Sequence, residues 1–253
     1  AFALMYQHFS DQKKIIIIST VFLFICEVVV FLSGERTPLF YVILFTILII
    51  IFIPNYRAYI AIGAFLSVIL IVFITSINPN AKSRIVDLTA TQISQTKLPF
   101  LPYSDHHEEH YISAFNMFYH KPIFGIGANL FRFQCNKPEY KYLTRSCSTH
   151  PHNYYLQVLS ELGLIGFTFL LTFFLFLSSF LLKQILYEYK KDSKKKIQFE
   201  FLLYPMILFI YWWPLIPHMN LYNNWNNVLI MLPLGFFMRY LYSNSNNGNS
   251  NQI

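Results

Sequence analysis

The chain carries apolar runs long enough to cross a lipid bilayer, and this leaves it very few folds to adopt. The first is Ile15–Leu32, an almost unbroken stretch of Ile, Val, Leu and Phe. A hydrocarbon core about 30 Å thick is crossed by roughly 20 apolar residues in a helix. Inside it each backbone N–H and C=O has to be satisfied by protein, which confines spanning segments to helices or closed barrels. Further runs occur at Pro38–Ile53, Tyr59–Ile77, Leu162–Leu182, Phe199–Pro217 and Val228–Tyr242. The second and the last are short, and the last is expected to tilt little or to thin the bilayer locally. Together they predict an all-α polytopic membrane protein with about six transmembrane helices and one large outer loop containing short helices.

Composition agrees. Only 12% of the 253 residues are charged and 55% are hydrophobic, against about 25% charged in a soluble domain. The net charge of +7 concerns topology and anionic lipid. Nucleic acid is a poor partner, because the Lys-rich segment is short and lies between apolar spans. Lys13 and Lys14, Arg57, the cluster Lys183, Lys190, Lys191, Lys194, Lys195 and Lys196, and Arg239 fall at alternate span ends. The positive-inside rule places those ends in the cytoplasm. The turn Ser33–Thr37, the long loop from Asn78 and the turn Asn220–Asn227 then face outward. The expected organisation is three helices in 1–77, the outer loop in 78–161, three helices in 162–242, and a disordered Asn/Ser-rich tail in 243–253. The chain starts at Ala1 without a methionine, and the expectation is a piece of a larger polytopic protein.

The outer loop holds His106, His107, His110, His120, His150 and His152, with Arg84, Arg132 and Arg145. Within it Asp105–His120 reads as a helix and Pro122–Phe133 as a turn-rich segment. Cys135 and Cys147 share the loop; they can pair in an oxidising compartment or stay as two thiols, since spacing alone does not establish a bridge. Cys26 lies in an apolar run, as does Glu27, a buried acid expected to pair with another helix.

The densest chemistry is His150-Pro151-His152-Asn153, set against the start of the Leu162 span. The two histidines can ligate zinc if a third ligand arrives, act as a general base, or simply hydrogen-bond the loop. Asn153 is a good N-cap for a helix starting at Tyr154, whose positive end favours an anion such as phosphate. Gln157 and Glu161 share a face of that helix, and Gly163 and Gly166 read as small residues for close helix–helix packing. Arg36 can snorkel to the interface or grip a phosphate. Phe124-Gly125-Ile126-Gly127-Ala128-Asn129 lacks the third glycine and the βαβ setting of a dinucleotide fingerprint and reads as a backbone turn. Arg132 beyond it can face the histidines or be solvated. Trp212, Trp213, Tyr222 and Trp225 read as an interfacial aromatic belt, with sugar stacking as the other use.

His152-Asn153, nine residues, then Gly163-Leu164-Ile165-Gly166 resembles the ligase motif of the O-antigen ligase and polymerase superfamily. His120-Lys121-Pro122-Ile123-Phe124-Gly125-Ile126-Gly127 is similar to that family's Pro-x-Phe-Gly-x-Gly turn, and Ser33-Gly34-Glu35-Arg36 to its Ser-x-Ser-Arg turn, with Glu35 replacing a serine. The match runs from about Leu32 to Leu170. The resemblance implies a membrane glycosyltransferase of lipopolysaccharide or surface polysaccharide biosynthesis. Such an enzyme moves a glycan from an undecaprenyl-diphosphate carrier to a hydroxyl of lipid A core, a growing glycan or a protein. It inverts at the anomeric carbon, with no metal and no cofactor. His152 becomes the catalytic base and Arg36 a diphosphate contact. The family's second arginine, expected before the Pro-Ile-Phe-Gly turn, is missing; His107, Arg132 or Arg84 is left to replace it. A lipid-linked sugar transporter or flippase, or a non-catalytic membrane partner, stands as the alternative.

Overall fold

The computed structural model describes residues 12–52, 57–83, 87–88, 90–91, 105–189 and 199–250. Arg84 and Lys190, Lys191, Lys194, Lys195 and Lys196 lie outside them. The described residues are helical and turn, without strands. The main helices are α1 (Gln12–Ser33), α2 (Arg36–Phe52), α3 (Arg57–Ile77), α4 (Asp105–His120), α5 (Tyr154–Tyr189), α6 (Phe199–Tyr211) and α7 (Asn224–Ser250). Among the described residues, three segments are long and apolar enough to cross a membrane: Lys13–Ser33, Arg57–Ile77 and Tyr154–Tyr187. Arg36–Phe52 and Phe201–Tyr211 are apolar but shorter.

Several boundaries differ from expectation. The run read to Pro217 stops being helical after Tyr211, where Trp212 onward turns away. The five-residue turn at Ser33 shrinks to Gly34 and Glu35 between two helices. Gly34 makes this possible at φ 75°, with its N–H on the Phe31 carbonyl at 3.0 Å. Pro38 sits in the first turn of α2, where its missing N–H costs nothing. The backbone of α7 continues through Ser250, where composition predicts disorder; once nucleated, a helix adds residues at small cost.

The chain divides into two compact units. One comprises Ala1–Ala81, Leu177–Tyr211 and Val228–Ile253. In its core, Leu48, Ile49 and Phe52 of α2 meet Ile60 of α3, Leu181 of α5 and Met206 of α6. The opposite faces of α1 and α3 leave Phe22, Ile25, Phe65 and Phe73 at least half exposed, as lipid contact requires. Arg57 donates to the carbonyls of Ile50 (2.8 Å) and Ile51 (3.0 Å), capping the end of α2 from the start of α3.

Glu27 of α1 is buried. Its carboxylate accepts the Thr46 hydroxyl of α2 at 2.8 Å and the Ser67 hydroxyl of α3, so it does pair with other helices. Both hydroxyls also reach carbonyls of their own helix, Val42 and Ala64. Glu27→Ala therefore strands neither, and the expected loss is about 1–2 kcal/mol, read as a modest drop in the Tm of detergent-solubilised protein.

The second unit comprises Lys82–Phe176 and Trp212–Asn227. It thus takes in the segment after α6, which the sequence reading groups with the C-terminal helices. Here α4 packs Ala114 and Met117 on Phe131, Cys135 and Tyr140. Cys135 and Cys147 form a disulfide. The buried Glu109 of α4 accepts the Arg145 N–H at 2.8 Å and pairs with its guanidinium at 3.2 Å.

Candidate active site

The site is organised by the first turns of α5. Asn153 caps them: its Oδ1 accepts the N–H groups of Tyr155 (3.0 Å) and Leu156 (3.2 Å). Its Nδ2 donates to the carbonyls of Pro214 (2.8 Å) and Ile216 (3.2 Å). Aspartate or serine would cap the helix as well, but among these only an amide accepts on one atom and donates two bonds from another. Gln157, one turn on, repeats the device. Its Oε1 accepts the Leu221 N–H at 3.0 Å, and its Nε2 donates to Asn220 Oδ1 at 2.9 Å and Glu161 Oε2 at 3.3 Å. Glu161 then accepts the Phe131 N–H at 2.8 Å. Asn153, Gln157 and Glu161 lie on one helix face and stitch α5 to two distant segments. Tyr222 belongs to the same seam: burial, then the facing Glu161 carboxylate, push its phenol above the ordinary 10.0.

This helix breaks at Gly163, whose φ 64° and ψ −161° are not helical. The break frees the carbonyls of Ser160 and Glu161, which accept the N–H groups of Ile126 (3.0 Å) and Gly127 (2.9 Å). Beyond it, the N–H groups of Leu164 and Ile165 donate to the carbonyls of Pro122 (2.8 Å) and Ile123 (3.4 Å). The Pro122–Gly127 turn is thus inserted into the helix's own hydrogen-bond ladder. A Cβ on Gly125 would meet the Glu161 carbonyl, and one on Gly163 the Ile123 carbonyl. This corrects the helix-packing reading of Gly163, which admits a turn. Gly166 faces Leu162 and Val158 of its own helix.

His152 sits just before the cap with φ 57°, a left-handed conformation uncommon for a residue with a side chain. It is held there from both sides. The His218 N–H donates to its carbonyl at 2.7 Å, and Asn153 begins the helix. The Ser148 hydroxyl lies 3.3 Å from its Nε2. Three further rings surround it, with centroids 4.2 Å (His150), 5.2 Å (His107) and 5.3 Å (His110) away. His150 is itself fixed: Nδ1 is 2.9 Å from the Thr149 hydroxyl and Nε2 is 3.1 Å from the His218 carbonyl oxygen. The carbonyl demands a donor, so Nε2 carries the proton in the neutral ring. Among the described residues no three His, Cys, Asp or Glu side chains are arranged to hold a metal ion.

Burial lowers His150 to about 4, reinforced by His152, Arg132 and His107 and opposed by the His218 carbonyl. Burial also lowers His152 below 6.5. Both rings are therefore neutral at pH 7. In the unfolded chain an imidazole takes a proton once the pH drops below 6.5; folded, His150 stays neutral down to about 4. Protons favour the unfolded state across that window, so stability falls as pH falls through it. The wild-type Tm should decline between pH 6.5 and 4, and the His150→Gln variant should decline less steeply. Equal slopes would exclude His150 as the group responsible.

The structure brings His107 beside His152; the charge of Arg132 reaches His150, and its guanidinium donates to Asn129 Oδ1 at 2.9 Å. Arg36 is the first residue of α2, exposed, and in the other unit. His218, which no sequence motif singles out, is buried, supports His150 and His152 through its backbone and stacks on Tyr154 with centroids 4.3 Å apart. Trp212 packs on Tyr154 and Phe173, and Trp213 on Phe174; Trp225 is exposed.

A family model described as O-Antigen ligase matches residues 20–171, more than half of the chain. The chain belongs to the O-antigen ligase family. It is accordingly an O-antigen ligase-like, multi-pass membrane protein, and the matched span contains the inserted turn, the histidine cluster and the Asn153 cap of this O-antigen ligase domain. No curated protein and no solved structure matched the chain.

Proposed function

We propose that the protein is an inverting glycosyltransferase of the inner membrane that moves a glycan from undecaprenyl diphosphate to an acceptor hydroxyl on the periplasmic side. The observation that carries this reading is His152: a neutral, half-buried imidazole, held in a left-handed backbone conformation at the head of α5. Backbone strain of this kind costs of order 1–3 kcal/mol and persists where surrounding structure imposes it, commonly at active sites.

In the proposed step the acceptor oxygen attacks the anomeric carbon as His152 takes its proton. The bond from that carbon to the diphosphate oxygen breaks, and undecaprenyl diphosphate leaves with the electron pair. His152 then returns the proton to water. The leaving group's charge is met by cations: Arg132 near the cluster, with Arg36 as a second diphosphate contact and His107 as a donor beside the base. The amides of Tyr155 and Leu156 are engaged by Asn153, so α5 contributes the field of its positive end more than direct bonds. The alignment of that field with a developing anion is what electrostatic catalysis requires. Acceptors of three kinds fit this chemistry: lipid A core, a growing glycan and a protein hydroxyl.

The test supplies purified protein with a lipid-diphosphate-linked glycan and measures released carrier and glycosylated acceptor. Release that depends on the acceptor supports the reading; donor movement across the membrane without a covalent product rejects it. In the same assay Arg36→Ala should raise donor KM more than Arg36→Lys, because lysine keeps the charge while losing the bidentate fork. Wild-type rates in both variants would remove Arg36 from the site.

A further inference from the structure

The turn at Ile123-Phe124 has no place in the proposed chemistry, yet it exposes large apolar side chains. Phe124 is 75% exposed and Ile123 58%. We infer that this turn is a re-entrant element whose Ile123 and Phe124 side chains lie among the acyl chains of the bilayer, alongside the start of the α5 span.

Depth is the first argument. From Leu162 to Leu182 the chain has no charged residue, and Lys183 ends the run. Counted from Leu164, the first residue past the break, that run is roughly 28 Å long at 1.5 Å per residue, the thickness of a hydrocarbon core. The carbonyls of Pro122 and Ile123 are bonded to the N–H groups of Leu164 and Ile165. The turn therefore sits at the level where the span enters hydrocarbon. Leu164, Ile165 and Phe169 are exposed there too, Phe169 by 80%, so the apolar surface of the turn continues the lipid-facing surface of the helix.

Backbone satisfaction is the second. Irregular backbone survives at membrane depth only where protein meets its polar groups. Pro122 has no N–H to satisfy. The Gly125 N–H reaches the Lys121 carbonyl at 3.0 Å, while Ile126 and Gly127 donate to α5. The break at Gly163 supplies both donors and acceptors that a continuous helix would have kept for itself. Lys121, exposed just before the turn, can carry its ammonium back to the interface on an apolar stem.

The experiment uses the full chain in a Cys26→Ala background, reconstituted in phosphatidylethanolamine/phosphatidylglycerol vesicles with the disulfide intact. A nitroxide is attached at Phe124→Cys, and separately at Ile123→Cys. Collision with oxygen and with a water-soluble nickel chelate is compared by power saturation. Phe169→Cys serves as the lipid reference and Glu139→Cys, an exposed loop position, as the water reference. The oxygen-to-nickel ratio at both turn positions is expected to exceed that at Glu139 severalfold and to approach that at Phe169. A ratio at both positions equal to that at Glu139 would overturn the inference. The readout is independent of catalysis, so its outcome does not depend on the proposed transfer.

Discussion

Replacing His152 by alanine is expected to lower glycan transfer by about 10²–10⁴-fold, the usual contribution of a positioned general base, while membrane insertion and folding persist. The ring is half-buried and its side-chain hydrogen bond is to Ser148. The His218 N–H contacts its backbone carbonyl and survives truncation. Alanine does not favour the left-handed backbone at this position, so a small part of any loss could come from strain. Asparagine tolerates that conformation well and is no base. His152→Asn should therefore fold like the wild type and fail like His152→Ala. Carrier release at the wild-type rate in His152→Asn, with an unchanged Tm, would rule out proton transfer by this residue. Below pH 6.5 the wild-type rate should stay high until His152 protonates, because burial places its transition below that of a free imidazole.

Gly163→Ala is expected to cost about 3–5 kcal/mol, the upper end for a single substitution. The residue occupies a backbone region open essentially to glycine alone. The added methyl would also strike the Ile123 carbonyl and lie 2.6 Å from the Gly125 nitrogen. Backbone cannot step aside as a side chain can, and expelling the turn would strip the N–H groups of Ile126 and Gly127 and the carbonyls of Pro122 and Ile123 of their partners in α5. Low yield, early protease cleavage and a large drop in Tm are the measurements. Gly166→Ala is the comparison: its methyl meets only the side chains of Leu162 and Val158, which can shift, so its effect should be much smaller. A Gly163→Ala protein with the wild-type Tm would show that the break at Gly163 is not required for the fold.

What could be read along the chain was whatever depends on neighbours in sequence. The apolar runs located α1 and α3 closely, and the pattern of α4 announced Asp105–His120 residue for residue. Asn153 was recognisable as a cap because capping is a matter of three residues. Gly163 was misread for the same reason: two glycines three apart in an apolar run look alike whether they admit a helix or a turn. Only the carbonyls of Pro122 and Ile123, brought from far along the chain, distinguish the cases. The bonds from Gln157 to Asn220 and Leu221, the Glu109–Arg145 pair and the support from His218 depend equally on tertiary approach. The disulfide was chemically allowed by the sequence, and folding decides it by bringing the two Cα atoms to 5.0 Å.

The way α5 is built also imposes an order of events during synthesis. The Pro122–Gly127 turn leaves the ribosome well before Ser160–Ile165, and its hydrogen bonds have no counterpart until that helix arrives. Gln157 waits longer still, for Asn220 and Leu221. Domains generally fold as units as the chain emerges, but this one cannot close until the segment after α6 has been made. A nascent chain halted between α5 and α6 would hold every histidine of the cluster and still lack the His218 clasp that sets the base.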